Sequence, residues 1–282
     1  MIGQKRLTQL LDEQTEKNTL ARFIILEGDR GSGKKMLAHY IAKKLSVNCI
    51  VEVGNKIDEI RYIISESYRV QEQTVYIIKE ADDMSVAAKN ALLKVTEEPP
   101  NKARFILLLR NLDNTLDTIK SRGAVYTLDR YSQQELEDYL KSKCPDNYKE
   151  YKTAVLSACY TPGEIDLLLQ NDPKKFHSDI AKVIHNISTV SGANAFKIAD
   201  MVNLGNDSEK YDLIMFWRTF QNMCYIDAYF SKDENVIYEY LEWMQITSTY
   251  LSQLRVKGVN KKSLFDMWLL DIRKVKIEEE SE

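Results

Sequence analysis

The run Gly28-Asp29-Arg30-Gly31-Ser32-Gly33-Lys34-Lys35 fits the spacing G-x-x-x-x-G-K. Glycines so placed let backbone N–H groups turn inward on a phosphate, and a following helix N-terminus adds partial positive charge. Gly28, Gly31, Ser32, Gly33, Lys34 and Lys35 are therefore the candidate cradle, with Lys34 positioned to reach outer phosphates. The position after that lysine ordinarily holds a Ser or Thr hydroxyl on Mg²⁺. Here it is Lys35, and an ammonium cannot ligate a cation. A second departure lies at Val75-Tyr76-Ile77-Ile78-Lys79-Glu80-Ala81-Asp82, where an acid that orients Mg²⁺ would precede a water-polarising Glu. Lys79 takes the metal position, and Glu80 is either a remaining base or a surface residue at a helix start. Two lysines in the two metal positions imply that hydrolysis has been lost, and that Mg²⁺ is not required for whatever anion still binds. A plain glycine-rich turn without a ligand is the competing reading of the loop, and nucleotide binding stays open between the two.

A phosphate loop works only between a strand and a helix. Arg22–Glu27 is a buried-strand run that ends at Gly28, and Lys34–Leu45 repeats apolar residues at helical spacing. Further strands are expected at Cys49–Val53, Thr74–Ile78, Phe105–Leu109 and Ala124–Leu128. Helical stretches separate them around Ile57–Ile64, Val86–Glu97 and Leu116–Lys120. This alternation predicts a five-stranded parallel sheet covered on both faces, because each parallel crossover needs a helix. From about Tyr131 the β-branched runs stop and helix-period patterns take over. They are broken at Cys144-Pro145-Asp146-Asn147, Thr161-Pro162-Gly163, Asn171-Asp172-Pro173 and Gly205-Asn206-Asp207. The expected organisation is an α/β phosphate-loop domain over 1–130, a helical lid over 131–172 and an all-α domain over 173–282.

Composition bounds the function classes. Thirty-nine Lys and Arg against 42 Asp and Glu give a net charge of −3, with 44% hydrophobic residues. That balance argues against a disordered chain and against a protein that holds nucleic acid by bulk charge. No run of about 20 apolar residues predicts a membrane span, and the N-terminal residues lack the apolar stretch of a signal peptide, so a cytoplasmic location is expected. The four cysteines, Cys49, Cys144, Cys159 and Cys224, form no C-x-x-C pair, so reduced and mostly buried thiols are expected rather than zinc. The three histidines have no recognisable nucleophile beside them. The aromatic run Tyr211, Phe216, Trp217, Phe220, Tyr225, Tyr229 and Phe230 reads first as helix core, with part of it available to a subunit interface. Lys174-Lys175 and Lys261-Lys262 read as solvated faces.

The run from Ala87-Ala88-Lys89-Asn90-Ala91-Leu92-Leu93-Lys94 to Glu97-Glu98-Pro99-Pro100 resembles the "AANALLKxLEEPP" signature of bacterial clamp-loader AAA+ subunits. Phe105-Ile106-Leu107-Leu108 and Thr118-Ile119-Lys120-Ser121-Arg122-Gly123 resemble the same family's "FILxT…TIxSRC" segment, and Ile2-Gly3-Gln4 resembles its lead into the first helix. The likeness is close over residues 1–130 and architectural beyond. It implies an AAA+ domain, a small helical lid and a helical collar that assembles with other subunits. Hydrolysing members carry a metal-binding hydroxyl and acid, a zinc-binding cysteine cluster and a polar sensor after the fourth strand. This chain has Lys35, Lys79, no such cluster, and Leu109-Arg110. Tyr160-Thr161-Pro162-Gly163-Glu164 resembles the family's second sensor, with Glu164 where a cation is expected. The resemblance thus implies a member whose own site has decayed, with nucleotide bound weakly or not at all. Arg122 would then be its contribution to a neighbour's ATP, as a trans-acting arginine finger. The implied partners are gamma/tau-like and delta-like subunits of the DNA polymerase III complex, the sliding clamp and, through the assembly, primer-template DNA. The alternatives are an autonomous AAA+ ATPase with an atypical metal site and a stand-alone nucleotide-sensing protein outside replication.

Overall fold

A computed structural model describes residues 3–187, 202–203, 211–254 and 258–279. The chain forms two compact units, Met1–Tyr139 with Tyr160–Glu164, and Leu140–Cys159 with Ile165–Glu282. The break expected at Gly205-Asn206-Asp207 lies outside the described residues, as does Ile2.

The first unit is built on five strands: β1 (Phe23–Glu27), β2 (Cys49–Val53), β3 (Thr74–Ile78), β4 (Ala103–Leu109) and β5 (Ala124–Thr127). They pair in the order β2-β3-β4-β1-β5, every pairing parallel. α1 (Lys5–Glu16) precedes β1, and between the strands lie α2 (Lys34–Lys44), α3 (Ile57–Ser67), α4 (Val86–Glu97) and the short α5 (Asp117–Lys120). The side-chain period of two sends Ile24, Leu26, Ile77 and Ile106 to the face covered by Leu7 and Leu11 of α1 and Leu37 and Ile41 of α2. Phe23, Ile25, Tyr76 and Phe105 go to the other face, against Ile60 and Ile63 of α3 and Leu92 and Val95 of α4. Burial on both faces is why β1, β3 and β4 read as unbroken apolar runs rather than alternating ones. Ser85 caps α4 by accepting from the Ala88 N–H at 3.2 Å, and Pro99-Pro100 follows its end. Because β1 lies between β4 and β5, the loop leaving it opens where neighbouring connections diverge, a position at which α/β sheets bind ligands.

The chain leaves the sheet through α6 (Gln133–Lys143), and α8 (Pro162–Leu169) likewise begins in the first unit and ends in the second. The second unit contains α7 (Tyr148–Ala158), α9 (Pro173–Ile187), α10 (Leu213–Phe230), α11 (Glu234–Gln253) and α12 (Lys261–Glu279). Two of the expected breaks act as helix starts, with Pro162 and Pro173 at first helical positions where the missing N–H costs nothing. A two-residue parallel pair, β6 (Val202–Asn203) with β7 (Tyr211–Asp212), stands among these helices without having been signalled by any β-branched run.

The aromatic run on α10 divides in two. Phe216, Trp217 and Phe220 are fully buried, and pack with Phe265 and Trp268 of α12 at ring separations of 5.2–6.3 Å. The buried indole N–H of Trp268 donates to Thr247 Oγ1 at 2.9 Å, and that of Trp243 to the Ile272 carbonyl at 3.0 Å. Tyr225, Tyr229 and Phe230 do not join this core, and the last two are 72% and 76% exposed. Of the cysteines, Cys159 and Cys224 are buried, but Cys49 is exposed at the start of the edge strand β2.

Candidate functional site

The phosphate-type loop sits between β1 and α2. Gly31 and Gly33 have φ of +76° and +93°, which a residue with a Cβ adopts only under strain, and Gly33 caps α2. The carbonyls of the loop are engaged within the first unit. Lys34 Nζ folds back and donates to Gly28 O at 2.6 Å and Asp29 O at 2.7 Å. Thr161 Oγ1 donates to Arg30 O at 2.9 Å, the Gly163 N–H to Gly31 O at 3.0 Å, and Tyr131 Oη to Ser32 O at 2.7 Å. Gly31 and Gly163 meet backbone to backbone, so that a Cβ on Gly163 would lie 2.5 Å from the Gly31 Cα. The residue facing the loop in the sensor-like segment is thus Gly163. Glu164 turns away, its carboxylate accepting from the Tyr160 N–H at 2.8 Å. Burial brings the Lys34 ammonium down to about 8; Asp82 and Asp29 oppose the shift and Arg110 adds to it.

The two metal positions do not fit Mg²⁺. Lys35 and Lys79 point their ammonium groups at one carboxylate, Glu52 of β2, at 2.8 and 3.4 Å. His39 Nε2, one turn along α2 from Lys35, lies 2.9 Å from the other Glu52 oxygen. With Lys35 as the strongest influence, these partners hold the Glu52 carboxyl at about 2. Sequence reading did not single out Glu52, although a lone charge in the run Cys49-Ile50-Val51-Glu52-Val53 was a usable signal.

Glu80 is exposed with φ of +51°, and the N–H of Asp83 bonds its carbonyl at 3.0 Å. The acid held at the strand ends is Asp82, which is buried. It accepts from the N–H groups of Arg110 and Asn111 at 2.7 and 3.0 Å and from Asn114 Nδ2 at 3.2 Å. Arg110, in the sensor position after β4, pairs with Asp83 at 3.1 Å. Asp82 thus fixes the backbone beyond β4 rather than presenting a free carboxylate.

Arg122 follows α5 on the surface, apart from the loop cluster. Its guanidinium donates to Thr118 O at 2.9 Å and pairs with Glu97 at the end of α4 at 3.1 Å. A surface pair of this kind is worth about 0–1 kcal/mol, so little holds the group from another anion. Among the described residues no three His, Cys, Asp or Glu side chains converge as a metal site requires.

Residues 46–132 match a family model described as DNA polymerase III, delta subunit. The chain is 27% identical over 192 residues to DNA polymerase III subunit gamma of Buchnera aphidicola subsp. Schizaphis graminum, a match covering 56% of this chain and 52% of that protein. It is 28% identical over 167 residues to DNA polymerase III subunit delta' of Bacillus subtilis, covering 49% and 51%. The chain spans about half the length of the curated relatives it matches. A DNA polymerase III gamma subunit-related protein from Thermotoga maritima shares the fold, with a TM-score of 0.51 and 21% identity over 95% of this chain and 99% of that one.

Proposed function

We propose that this chain, whose relatives support the AAA+ clamp-loader family of bacterial DNA polymerase III, is a non-hydrolysing subunit of such an assembly and resembles delta-prime. The observation that carries the reading is the convergence of Lys35 and Lys79 on Glu52. Phosphoryl transfer depends on metal charge spread over the phosphates. Both positions that would place that metal are cations already committed to a carboxylate. Meanwhile Arg122 stands at the surface, tied by a weak pair and a carbonyl. On this reading the pocket is vestigial and the arginine serves ATP bound by a neighbour. The chain works in the cytoplasm with gamma/tau-like and delta-like subunits to load a sliding clamp on primer-template DNA.

Co-expression with the gamma/tau-like and delta-like subunits of the same organism, followed by affinity capture and sizing, tests the reading. A stable complex containing all three is expected. Failure to co-purify, together with Mg²⁺-dependent ATP turnover by the chain alone, would favour an autonomous ATPase instead.

A further inference from the structure

We infer that Glu52 is a built-in counter-anion that sets how strongly the phosphate loop attracts phosphate, by holding Lys35 and Lys79 away from it. The inference rests on residues 28–35 being a phosphate loop, and not on assembly with replication subunits, so either reading can fail without the other.

Position comes first. In phosphate loops the residue after the loop lysine and the residue that ends the third strand both approach the metal bridging the outer phosphates. Lys35 and Lys79 occupy those places, and a lysine stem is long and flexible enough to serve either of two nearby anions. Their side chains are 56% and 43% exposed, so neither ammonium is locked in by packing. What turns them aside is one side chain. Glu52 stands on the face of β2 toward α2, 2.8 Å from Lys35, 3.4 Å from Lys79 and 2.9 Å from His39. Lys35, Lys79 and Glu52 together carry two positive charges and one negative, and losing Glu52 would double their net charge.

A second feature of the loop points to a ligand independently. Ser32 is 4% exposed, and its hydroxyl, beside Gly28, has no hydrogen-bond partner. Buried hydroxyls are nearly always satisfied, so an orphan within a phosphate-type loop marks a place for an acceptor. The ligand class that fits is a di- or triphosphate taken without a metal, its charge met by ammonium groups where Mg²⁺ would otherwise lie. Glu52 competes with it for those groups. A carboxylate already in place does so at every ligand concentration, and the affinity of the unmodified chain should therefore be low.

The test is calorimetric titration of the full chain with inorganic tripolyphosphate in excess EDTA. Glu52→Gln, which keeps the shape and removes the charge, should bind about tenfold tighter or more than the parent, the scale of one unit charge a few ångströms away at partial exposure. The gain should vanish when Lys35→Met and Lys79→Met are added to Glu52→Gln. Equal or weaker binding by Glu52→Gln, no binding by either chain, or a gain that survives loss of both lysines would each overturn the inference. A measurement on the unmodified chain guards against a misfolded variant. The ¹³C carboxyl signal of Glu52 should move during tripolyphosphate titration as the lysines leave it, and an unmoved signal would count equally against the proposal.

Discussion

Lys34 shows how the lysine of a phosphate-type loop can be held in an unfamiliar state. Its half-buried ammonium donates to two carbonyls, and partial burial lowers it to about 8 from 10.5. For a lysine depressed on folding, the unfolded chain binds more protons between those two values, and stability contributed by this group rises with pH across that window. Lys34→Met should flatten that rise, which denaturant titrations at pH 7.5 and 9.5 on both chains would show. Below about pH 8 the variant loses a half-buried charge together with its two hydrogen bonds. Arg122 lies at the other extreme, exposed and loosely paired. Arg122→Ala should change the stability of the isolated chain by under about 0.5 kcal/mol. It should nevertheless lower ATP turnover by the reconstituted assembly, since an arginine finger contributes about 10³–10⁵ in rate to the site it serves. Parental turnover in the variant assembly would remove Arg122 from that role.

Among the elements, the contact between the loop and residues 160–164 depends on two glycines that touch. Gly163→Ala would drive a Cβ into the Gly31 backbone, where no flexible group can give way. Overpacking of this kind costs about 1–3 kcal/mol, and the thermal midpoint should fall accordingly. The elements themselves were legible to different degrees. β2, β3 and α4 have the bounds read from apolar runs and breakers, since punctuation and hydrophobicity agree there. β4 starts two residues earlier than its apolar run suggests, at Ala103. The reason is Arg104, a cation inside the sheet whose guanidinium reaches Leu20 O and Ala21 O at 2.9 and 3.2 Å. Such a partner lies far away in sequence, and no local pattern announces it. The site divides in the same way. Loop spacing and the two substituted metal positions are local facts, whereas the meeting of Glu52 with Lys35 and Lys79 needs the β2–β3 register and the packing of α2. Which part of the aromatic run on α10 is core and which is exposed was illegible for a related reason, because helical spacing gives a face but not what covers it.

For the molecule as a whole, one expectation follows from the joined site. The isolated chain should release phosphate from ATP no faster than background, with or without Mg²⁺. Steady Mg²⁺-dependent release that disappears in Lys34→Ala would contradict it. The strand order has a different consequence, one that concerns how the chain is made. β1 is the first of these five strands to be synthesised, yet neither neighbour is near it in sequence: Phe23 pairs with Phe105, and Ile24 with Ala124. Translation at roughly 5–20 residues per second leaves β1 waiting on the order of 4–16 s for β4 to appear. During that interval the nascent chain carries Phe23-Ile24-Ile25-Leu26 with both edges unpaired, while β2 and β3 can already join each other. An apolar strand in that condition is a template for pairing with other chains. The arrangement that centres the phosphate loop in the finished sheet therefore makes its supporting strand the segment most dependent on protection at the ribosome.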